Sequence, residues 1–159
     1  FGTLELFPSA TEIPKLQVLG PEPLTEDFDT RYLYPRLKAS SKEIKPFLLD
    51  QRLVAGIGNI YASEILFASG VLPQRSSHSL KKKEVQAIVE NTRRILLSAI
   101  EYNGTSVSDF RQVDEKTGEF QNFLQVYDKE SQPCTRCEVP LQRIVQQQRS
   151  TFFCIGCQK

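Results

Sequence analysis

The sequence lacks methionine, a signal peptide and any apolar run approaching twenty residues, and it has no cysteine before residue 134. A membrane-spanning helix needs about twenty consecutive apolar residues, so we expect no membrane partner. Without a signal peptide, we expect a soluble cytoplasmic protein whose cysteines stay reduced. Because the chain begins at Phe1 and contains no methionine, we expect a processed product or, more in keeping with its other features, a fragment of a longer protein.

The four cysteines form two Cys-x-x-Cys pairs, Cys134/Cys137 and Cys154/Cys157, with sixteen residues between the pairs. Two intervening residues let both thiolates of a tight turn face one metal ion, and sixteen residues can form a β-hairpin. Two disulfides are the alternative, but each would close a small strained ring in a chain with no extracellular signature. We therefore predict one zinc ion, which is structural because four thiolates leave no open coordination position.

Length and composition allow one moderate hydrophobic core and one small metal-dependent unit. The chain has 159 residues, of which 40% are apolar. The cysteine-bearing segment is too short to fold without metal. The predicted fold class is therefore mainly α with a small β zinc ribbon. We divide the chain into residues 1–23, a strand tail and proline-rich linker, residues 24–128, a helical domain, and residues 129–159, the ribbon.

Hydrophobic periodicity and capping signals predict the helices of the central domain. Ser40 and Glu43 form a Ser-x-x-Glu capping box that opens one helix, and Asn59 is a candidate N-cap for the next. Gly70 is the expected stop of that second helix. Residues 120–127 are predicted to be a strand leading into the ribbon. The predicted helices cover residues 24–39, 40–54, 59–69 and 80–102, and a loop covers residues 104–119.

The turn Gly56-Ile57-Gly58-Asn59 between two helices is the second informative feature. Glycines allow the positive φ angles of a sharp turn and remove the Cβ atoms that would keep another molecule from the backbone. The N–H groups opening the next helix, together with the Asn59 amide, would then hold an anion such as a DNA phosphate. An ordinary turn with an N-cap asparagine explains the same residues, and from this motif alone we favour it.

Two groups of basic residues are candidates for contact with nucleic acid. Arg149 lies between the cysteine pairs, where a hairpin would present it as an anion ligand. Lys81-Lys82-Lys83 is a basic run. Each has a simpler explanation, because a surface arginine is usually solvated and a lysine run often marks a solvated helix start.

Two segments closely resemble the formamidopyrimidine-DNA glycosylase family: residues 48–66, LLDQRLVAGIGNIYASEIL, and residues 149–159, RSTFFCIGCQK. Residues 19–24, LGPEPL, and 104–106, GTS, also match that family in order, so the resemblance spans essentially the whole chain. It implies a helix-two-turn-helix domain followed by a zinc ribbon. In the family this is the DNA-gripping half of a base-excision repair enzyme.

The resemblance implies DNA-binding roles for particular residues. It implies that Asn59 and the amides around Gly58 hold phosphates flanking a flipped nucleotide, while Arg149 grips the same backbone from the ribbon. Two such grips stabilise a kinked duplex and offset an unstacking cost of a few kcal/mol. In the family this arginine also takes part in the late elimination step of strand cleavage. The resemblance adds Tyr61 to the DNA-binding residues.

Two further roles follow from the same resemblance. Phe1 corresponds to an aromatic residue that helps to fill the gap left in the duplex. The loop over residues 107–120 is similar to one that closes over an extruded 8-oxoguanine.

The sequence also departs from the family pattern. The family nucleophile is an N-terminal proline amine followed by a glutamate acid, both in a β-sandwich domain that precedes this region. No residue here matches them, since Pro21-Glu22 is internal and has no free amine. We therefore expect the chain alone to be inactive. Gln147 and Gln148 stand where the family usually has glycine, which leaves the geometry of the hairpin turn open.

The predicted function is that of the DNA-binding C-terminal portion of a DNA glycosylase/AP lyase acting on oxidised purines. Its expected partner is duplex DNA containing oxidised bases or abasic sites, bound by a monomer associated with the nucleoid. One alternative is the endonuclease VIII type, which has the same architecture and prefers oxidised pyrimidines; the long 107–120 loop favours the purine enzyme. Another is a non-catalytic nucleic-acid-binding module on the same scaffold.

Overall fold

The computed structural model describes residues 4–105 and 118–159, in which helices enclose one core and a β-hairpin packs beside them. This architecture confirms the predicted fold class. Phe1 and most of the 107–120 loop lie outside the described residues. The helices are α1 (Pro14–Gln17), α2 (Thr30–Lys38), α3 (Ile44–Leu48), α4 (Asn59–Ala68) and α5 (Lys82–Glu101); the strands are β1 (Gln142–Gln146) and β2 (Arg149–Phe153); and short 3₁₀ helices cover Ala10–Glu12, Ser77–Ser79 and Phe120–Phe123.

Helix α4 lies at the centre of the fold. Its residues from Ala62 to Phe67 are all buried, because α3, α5 and β2 pack around it. Helix α5 is amphipathic and buries Val85, Ile88 and Ile95 among others on one face, as the periodicity predicted, whereas Ile100 near its end is exposed. None of the helices in the two described ranges is long and apolar enough to cross a bilayer. Because α4 is packed on several sides, the turn that precedes it is held in position.

The helix predicted over residues 40–54 is shorter than expected. Helix α3 covers only Ile44–Leu48, and the predicted capping box does not form. Glu43 is the N-cap without a side-chain bond, and Ser40 Oγ accepts a backbone N–H two residues further on, at 3.2 Å. Beyond α3, the Asp50 carboxylate accepts the N–H of Arg52 at 3.2 Å. These local side-chain bonds offer the backbone an alternative to the helix, which explains why the prediction was wrong.

Three other predicted elements differ from the structure. Helix α2 begins at residue 30 rather than 24, because the Asp29 side chain caps it by accepting the N–H of Tyr32 at 2.7 Å. The described part of residues 1–23 contains no strand, and Pro14 opens the short helix α1 there. The strand predicted over residues 120–127 is absent from the structure, which has a 3₁₀ helix there followed by bends.

The predicted hairpin of the ribbon is confirmed, and its turn is a tight one. Strands β1 and β2 pair antiparallel with Gln146 opposite Arg149, so only Gln147 and Gln148 form the loop. Both have positive φ angles, 46° and 61°. A two-residue loop with both φ angles positive matches the twist of the strands, but it favours asparagine and glycine. Glutamine therefore adopts this turn at a cost of about 1–2 kcal/mol per residue.

Replacing Gln147-Gln148 with Asn-Gly should stabilise the zinc-loaded chain by about 1 kcal/mol, because these residues relieve the strain of the turn. For a chain of this size we expect the melting temperature to rise by about 2–4 °C. Thermal unfolding followed by circular dichroism measures the shift. Replacing the same pair with Ala-Ala is the control and should give no gain. A lower melting temperature for Asn-Gly would contradict the turn assignment.

Candidate nucleic-acid interface and zinc centre

The four cysteines converge on one point in the ribbon. Their Sγ atoms all lie within 4.8 Å of one another, with 3.8 Å between those of Cys134 and Cys157 and 3.4 Å between those of Cys137 and Cys154. Tetrahedral Zn–S bonds of about 2.3 Å place the sulfurs about 3.8 Å apart, whereas a disulfide requires about 2.05 Å. The arrangement therefore fits one zinc ion and not two disulfides.

The donors also suit a bound cation, which favours the thiolate form that the crowded thiols oppose. Partial burial and the neighbouring thiols raise the pKa of Cys157 to about 12. Thiolates this close together persist at neutral pH only when a positive charge compensates them. A Cβ on Gly156 would lie 2.8 Å from the Cys137 sulfur, so glycine at this position allows the two Cys-x-x-Cys turns to approach each other. Four sulfur ligands complete the coordination of zinc, which makes the ion structural.

The ribbon packs on α4 through Phe67. This side chain enters a second hydrophobic core with Val126, Leu141 and Phe152. The guanidinium of Arg136, inside the first cysteine pair, lies 4.2 Å from the centre of the Phe67 ring and donates to the Phe67 carbonyl at 3.2 Å. Apolar burial and the cation–π contact together fix the ribbon relative to the helix.

Glu64 of α4 orders the backbone that leads into the ribbon. Its side chain is 4% exposed and accepts the N–H groups of Gln125, Val126 and Tyr127, each at 2.9 Å. One carboxylate thus replaces the partner strand that these residues lack, which is why the strand predicted there does not form. It also fixes the position of Tyr127.

A buried lysine connects the turn before α4 to the hairpin. Lys45 of α3 is fully buried, and its Nζ donates to Asn59 Oδ1 at 2.7 Å, Ser150 O at 2.9 Å and Thr151 Oγ1 at 2.7 Å. Asn59 Nδ2 donates to the same Ser150 carbonyl at 3.0 Å. Burial, with a smaller contribution from nearby Arg149, lowers the pKa of Lys45 to about 8. The contacts hold Asn59 beside the residue that follows Arg149.

The turn before α4 presents free backbone donors. Gly56 has a φ of +80°, as predicted, whereas Gly58 has a φ of −98° and serves as the N-cap without a side-chain bond. An added Cβ at either glycine would meet no atom within 4 Å, so the space in front of this backbone is open. Within the described ranges, no group accepts the N–H groups of Asn59, Ile60 and Tyr61. These donors, at the positive end of the helix dipole, suit an anion.

The prediction that Asn59 caps α4 was wrong. Asn59 is the first residue of the helix, one position after the cap. Its side chain is drawn away from the helix by Lys45 and Ser150, so a tertiary contact replaces the local capping bond.

The basic side chains of the hairpin lie next to this turn. Arg149 is exposed at the start of β2, directly after the hairpin loop. Arg143 donates to Ser150 Oγ at 3.0 and 3.1 Å, and it lines a small cavity with Ser150 and Tyr127. The Tyr127 hydroxyl lies 3.4 Å from Asn59 Nδ2. We call these side chains, Asn59, Tyr127, Arg143 and Arg149, together with the free N–H groups of α4, the grip surface.

The structure thus brings together Gly58, Asn59 and Arg149 among the residues predicted to bind DNA. The side chain of Tyr61 lies elsewhere: its hydroxyl is 3.2 Å from Thr105 Oγ1, and it lines an apolar groove of about 700 Å³. Phe1 lies outside the described residues.

Sequence reasoning missed Lys45, Glu64, Tyr127 and Arg143. Lys45 and Glu64 carried a signal, since each is a single charge within a buried helix. A charged residue inside an apolar helix predicts a paired, buried group. Arg143 carried the same signal as Arg149, a basic residue between the cysteine pairs, but no local pattern marked Tyr127, whose importance depends on its contact with Asn59, distant in sequence.

Residues 19–111, more than half of the chain, match the model described as the formamidopyrimidine-DNA glycosylase H2TH domain. The chain belongs to the formamidopyrimidine-DNA glycosylase family. Residues 131–159 match the zinc finger found in FPG and IleRS, which are the same residues that carry the four-cysteine cluster. The chain therefore holds one structural zinc ion, as predicted.

Curated members of the formamidopyrimidine-DNA glycosylase family are similar over most of this chain. The protein of that name from Serratia proteamaculans (strain 568) is 48% identical over 141 residues, which cover 89% of this chain and 52% of the relative. The one from Ruegeria pomeroyi is 45% identical over 163 residues, covering 100% of this chain and 58% of the relative. The chain thus spans about half the length of the curated relatives it matches.

Solved structures of the family have the same fold. The MutM (Fpg) protein from Thermus thermophilus superposes with a TM-score of 0.87 at 44% identity, covering 92% of this chain and 56% of that one. The Lactococcus lactis Fpg in complex with abasic-site DNA gives a TM-score of 0.84 at 38% identity, covering 91% of this chain and 53% of that one.

Proposed function

We propose that this chain is the DNA-binding portion of a base-excision repair DNA glycosylase/AP lyase that removes oxidised purines from duplex DNA. Its relatives are named formamidopyrimidine-DNA glycosylases, and a Lactococcus lactis relative has been solved with Fapy-dG containing DNA. The observation that carries the proposal is the contact of Lys45 with both Asn59 and Ser150, which supports one continuous grip surface.

Two elements of the grip surface would hold successive phosphates of one strand. The free N–H groups of α4 and the Asn59 amide would bind one phosphate through neutral donors at the positive end of a helix dipole. Arg149 would bind a neighbouring phosphate through a charged, bidentate contact. Because Lys45 and Ser150 fix the spacing between these groups, the surface favours one backbone geometry. A bent duplex with an extruded nucleotide is the substrate that this geometry would stabilise.

We assign a separate role in DNA binding to each part of the chain. Residues 24–128 would supply the turn, residues 129–159 would supply Arg149, and the role proposed for residues 107–120, most of which lie outside the described ranges, is to cover the extruded base. Arg149 would also assist the late elimination step of strand cleavage. The proline amine and glutamate acid of the family have no counterpart here, so the role proposed for this chain alone is binding, not cleavage.

Replacing Asn59 or Arg149 with alanine should weaken binding to a duplex with an abasic-site analogue. We expect each change to cost about 1–3 kcal/mol, because each removes a phosphate donor. Fluorescence anisotropy of a labelled duplex measures both. Arg31→Ala is the matched control, since Arg31 is exposed on α2 and pairs only with Asp29 among the described residues. Unchanged affinity in both grip variants would show that DNA binds elsewhere.

A further inference from the structure

Lys45 is a buried cation that donates to three uncharged groups. Within the described ranges, no carboxylate oxygen lies within 4.0 Å of its nitrogen. Glu43, at the start of the same helix, is engaged by the amide of Gln146 at 2.7 Å. The hairpin contributes a second positive charge, Arg149. Arg143 on the same hairpin donates to Ser150 Oγ and pairs with Glu130 at 3.9 Å, and the Tyr127 hydroxyl lies beyond Asn59. The surroundings therefore leave the charge of Lys45 uncompensated.

The hydrogen bonds of Lys45 nevertheless match an ammonium group. Its three partners, Asn59 Oδ1, Ser150 O and Thr151 Oγ1, all offer acceptor oxygens. An ammonium donates to all three at once, whereas a neutral amine has only two N–H groups and can donate to only two of them. Burial and Arg149 oppose the charge and lower the pKa of Lys45 to about 8. The opposing influences place the two protonation states close in free energy near neutral pH.

We propose that the binding of DNA phosphate at the grip surface is coupled to the uptake of one proton by Lys45. This inference rests on the proposed function, because the phosphate is the negative charge that the site lacks. Asn59 touches Lys45 directly, and Arg149 is the nearby charge that repels it. A phosphate bound to Asn59 and Arg149 neutralises that repulsion and favours the ammonium form. Lys45 is thus a positioning residue whose protonation state changes when phosphate binds to the grip surface.

The direction of the pH effect follows from linkage. Below about pH 7 Lys45 carries its proton in both free and bound states, so binding takes up none. Above pH 8 the free chain has lost the proton while the complex retains it. Affinity should therefore fall by up to about tenfold per pH unit above 8, until the pKa of Lys45 in the complex is reached. Proton uptake should approach one per complex over the same range.

Isothermal titration calorimetry of the zinc-loaded full chain tests this coupling. The ligand is a duplex with a tetrahydrofuran abasic-site analogue, titrated at pH 7 and pH 8.5 in two buffers of different ionisation enthalpy. We expect uptake of most of one proton at pH 8.5 and almost none at pH 7. Lys45→Arg, which stays charged, and Lys45→Met, which cannot be charged, should both lose the uptake. Lys42→Met is the control and should keep it, because Lys42 is half-exposed and bonded to Asp50.

A second measurement needs no variant. The ¹³Cε resonance of Lys45, assigned through the backbone of the native chain, should titrate near pH 8 in the free protein and at higher pH in the complex. Identical titration in both states would overturn the inference, as would binding with no proton uptake at pH 8.5 or uptake that persists in both Lys45 variants. Failure of the duplex to bind at any pH would overturn the proposed function as well, which separates the two failures.

Discussion

Removal of zinc from the folded chain should unfold residues 131–159 and abolish binding to duplex DNA. The core of the ribbon is very small, consisting of Val126, Leu141 and Phe152 packed on Phe67, besides the cysteines. Structural zinc in small domains is worth about 10–16 kcal/mol at neutral pH, which is comparable to the whole stability of an ordinary domain, about 5–15 kcal/mol. No rearrangement of so few apolar residues offsets that loss.

The effect of zinc removal should also reach the helices. When the hairpin unfolds, Lys45 loses its bonds to Ser150 and Thr151, and the pKa of Lys45 should return from about 8 towards its ordinary 10.5 as water reaches it. Asn59 loses the carbonyl that orients its amide. The turn of the grip surface therefore loses its geometry even where α4 survives.

Titration with a chelator, followed by amide NMR spectra and by anisotropy of a labelled abasic-site duplex, measures both effects. We expect ribbon resonances to collapse to random-coil positions and the affinity to fall by more than tenfold, with recovery on addition of zinc. Chelator saturated with zinc beforehand is the control. Undiminished affinity of the metal-free chain would show that the ribbon plays no part in the grip.

Replacement of Glu64 with alanine should destabilise the chain by about 3–5 kcal/mol. The change leaves three N–H groups, those of Gln125, Val126 and Tyr127, without their acceptor. Each unsatisfied buried group costs about 1–3 kcal/mol, less any relief from water that enters the site. Glutamine at this position keeps the shape but only one acceptor oxygen, so Glu64→Gln should cost less than alanine and still more than 1 kcal/mol.

Urea denaturation of the zinc-loaded proteins measures these differences. Glu90→Ala is the matched control, because Glu90 is exposed on α5 and is bonded to Gln86, so its loss should change stability by at most about 0.5 kcal/mol. If Glu64→Ala proves as stable as the control, the carboxylate does not order the approach to the ribbon. The affinity of Glu64→Gln for DNA should also fall, since Tyr127 belongs to the grip surface.

The features that the sequence predicts well are those determined by neighbouring residues. The spacing of the cysteines predicts the zinc site and its hairpin, and the periodicity of α5 predicts its buried face. Gly70, with a φ of +68°, ends α4 as expected. In each case the interactions that decide the structure lie within a few residues, or within one metal site, so the local pattern is sufficient.

The features that the sequence does not predict depend on long-range contacts. The residue type and position of Asn59 predict an N-cap, yet its side chain forms hydrogen bonds with Lys45 and Ser150 instead. The strand expected near residue 125 does not form because the carboxylate of Glu64, 61 positions away, accepts the backbone N–H groups that a partner strand would otherwise bind. The bonds between Lys45 and the hairpin join residues 105 and 106 positions apart. Such competition is decided by tertiary packing, which periodicity and capping rules do not include.

The structure of the zinc-loaded chain bound to a short duplex with an abasic-site analogue tests the grip surface most directly. We predict one phosphate oxygen within about 3.2 Å of the Asn59 amide or of the free N–H groups of α4, and a neighbouring phosphate within the same distance of the Arg149 guanidinium. The duplex should bend at the abasic position. DNA bound along the Lys81-Lys82-Lys83 run, with Asn59 and Arg149 free of phosphate, would contradict the account.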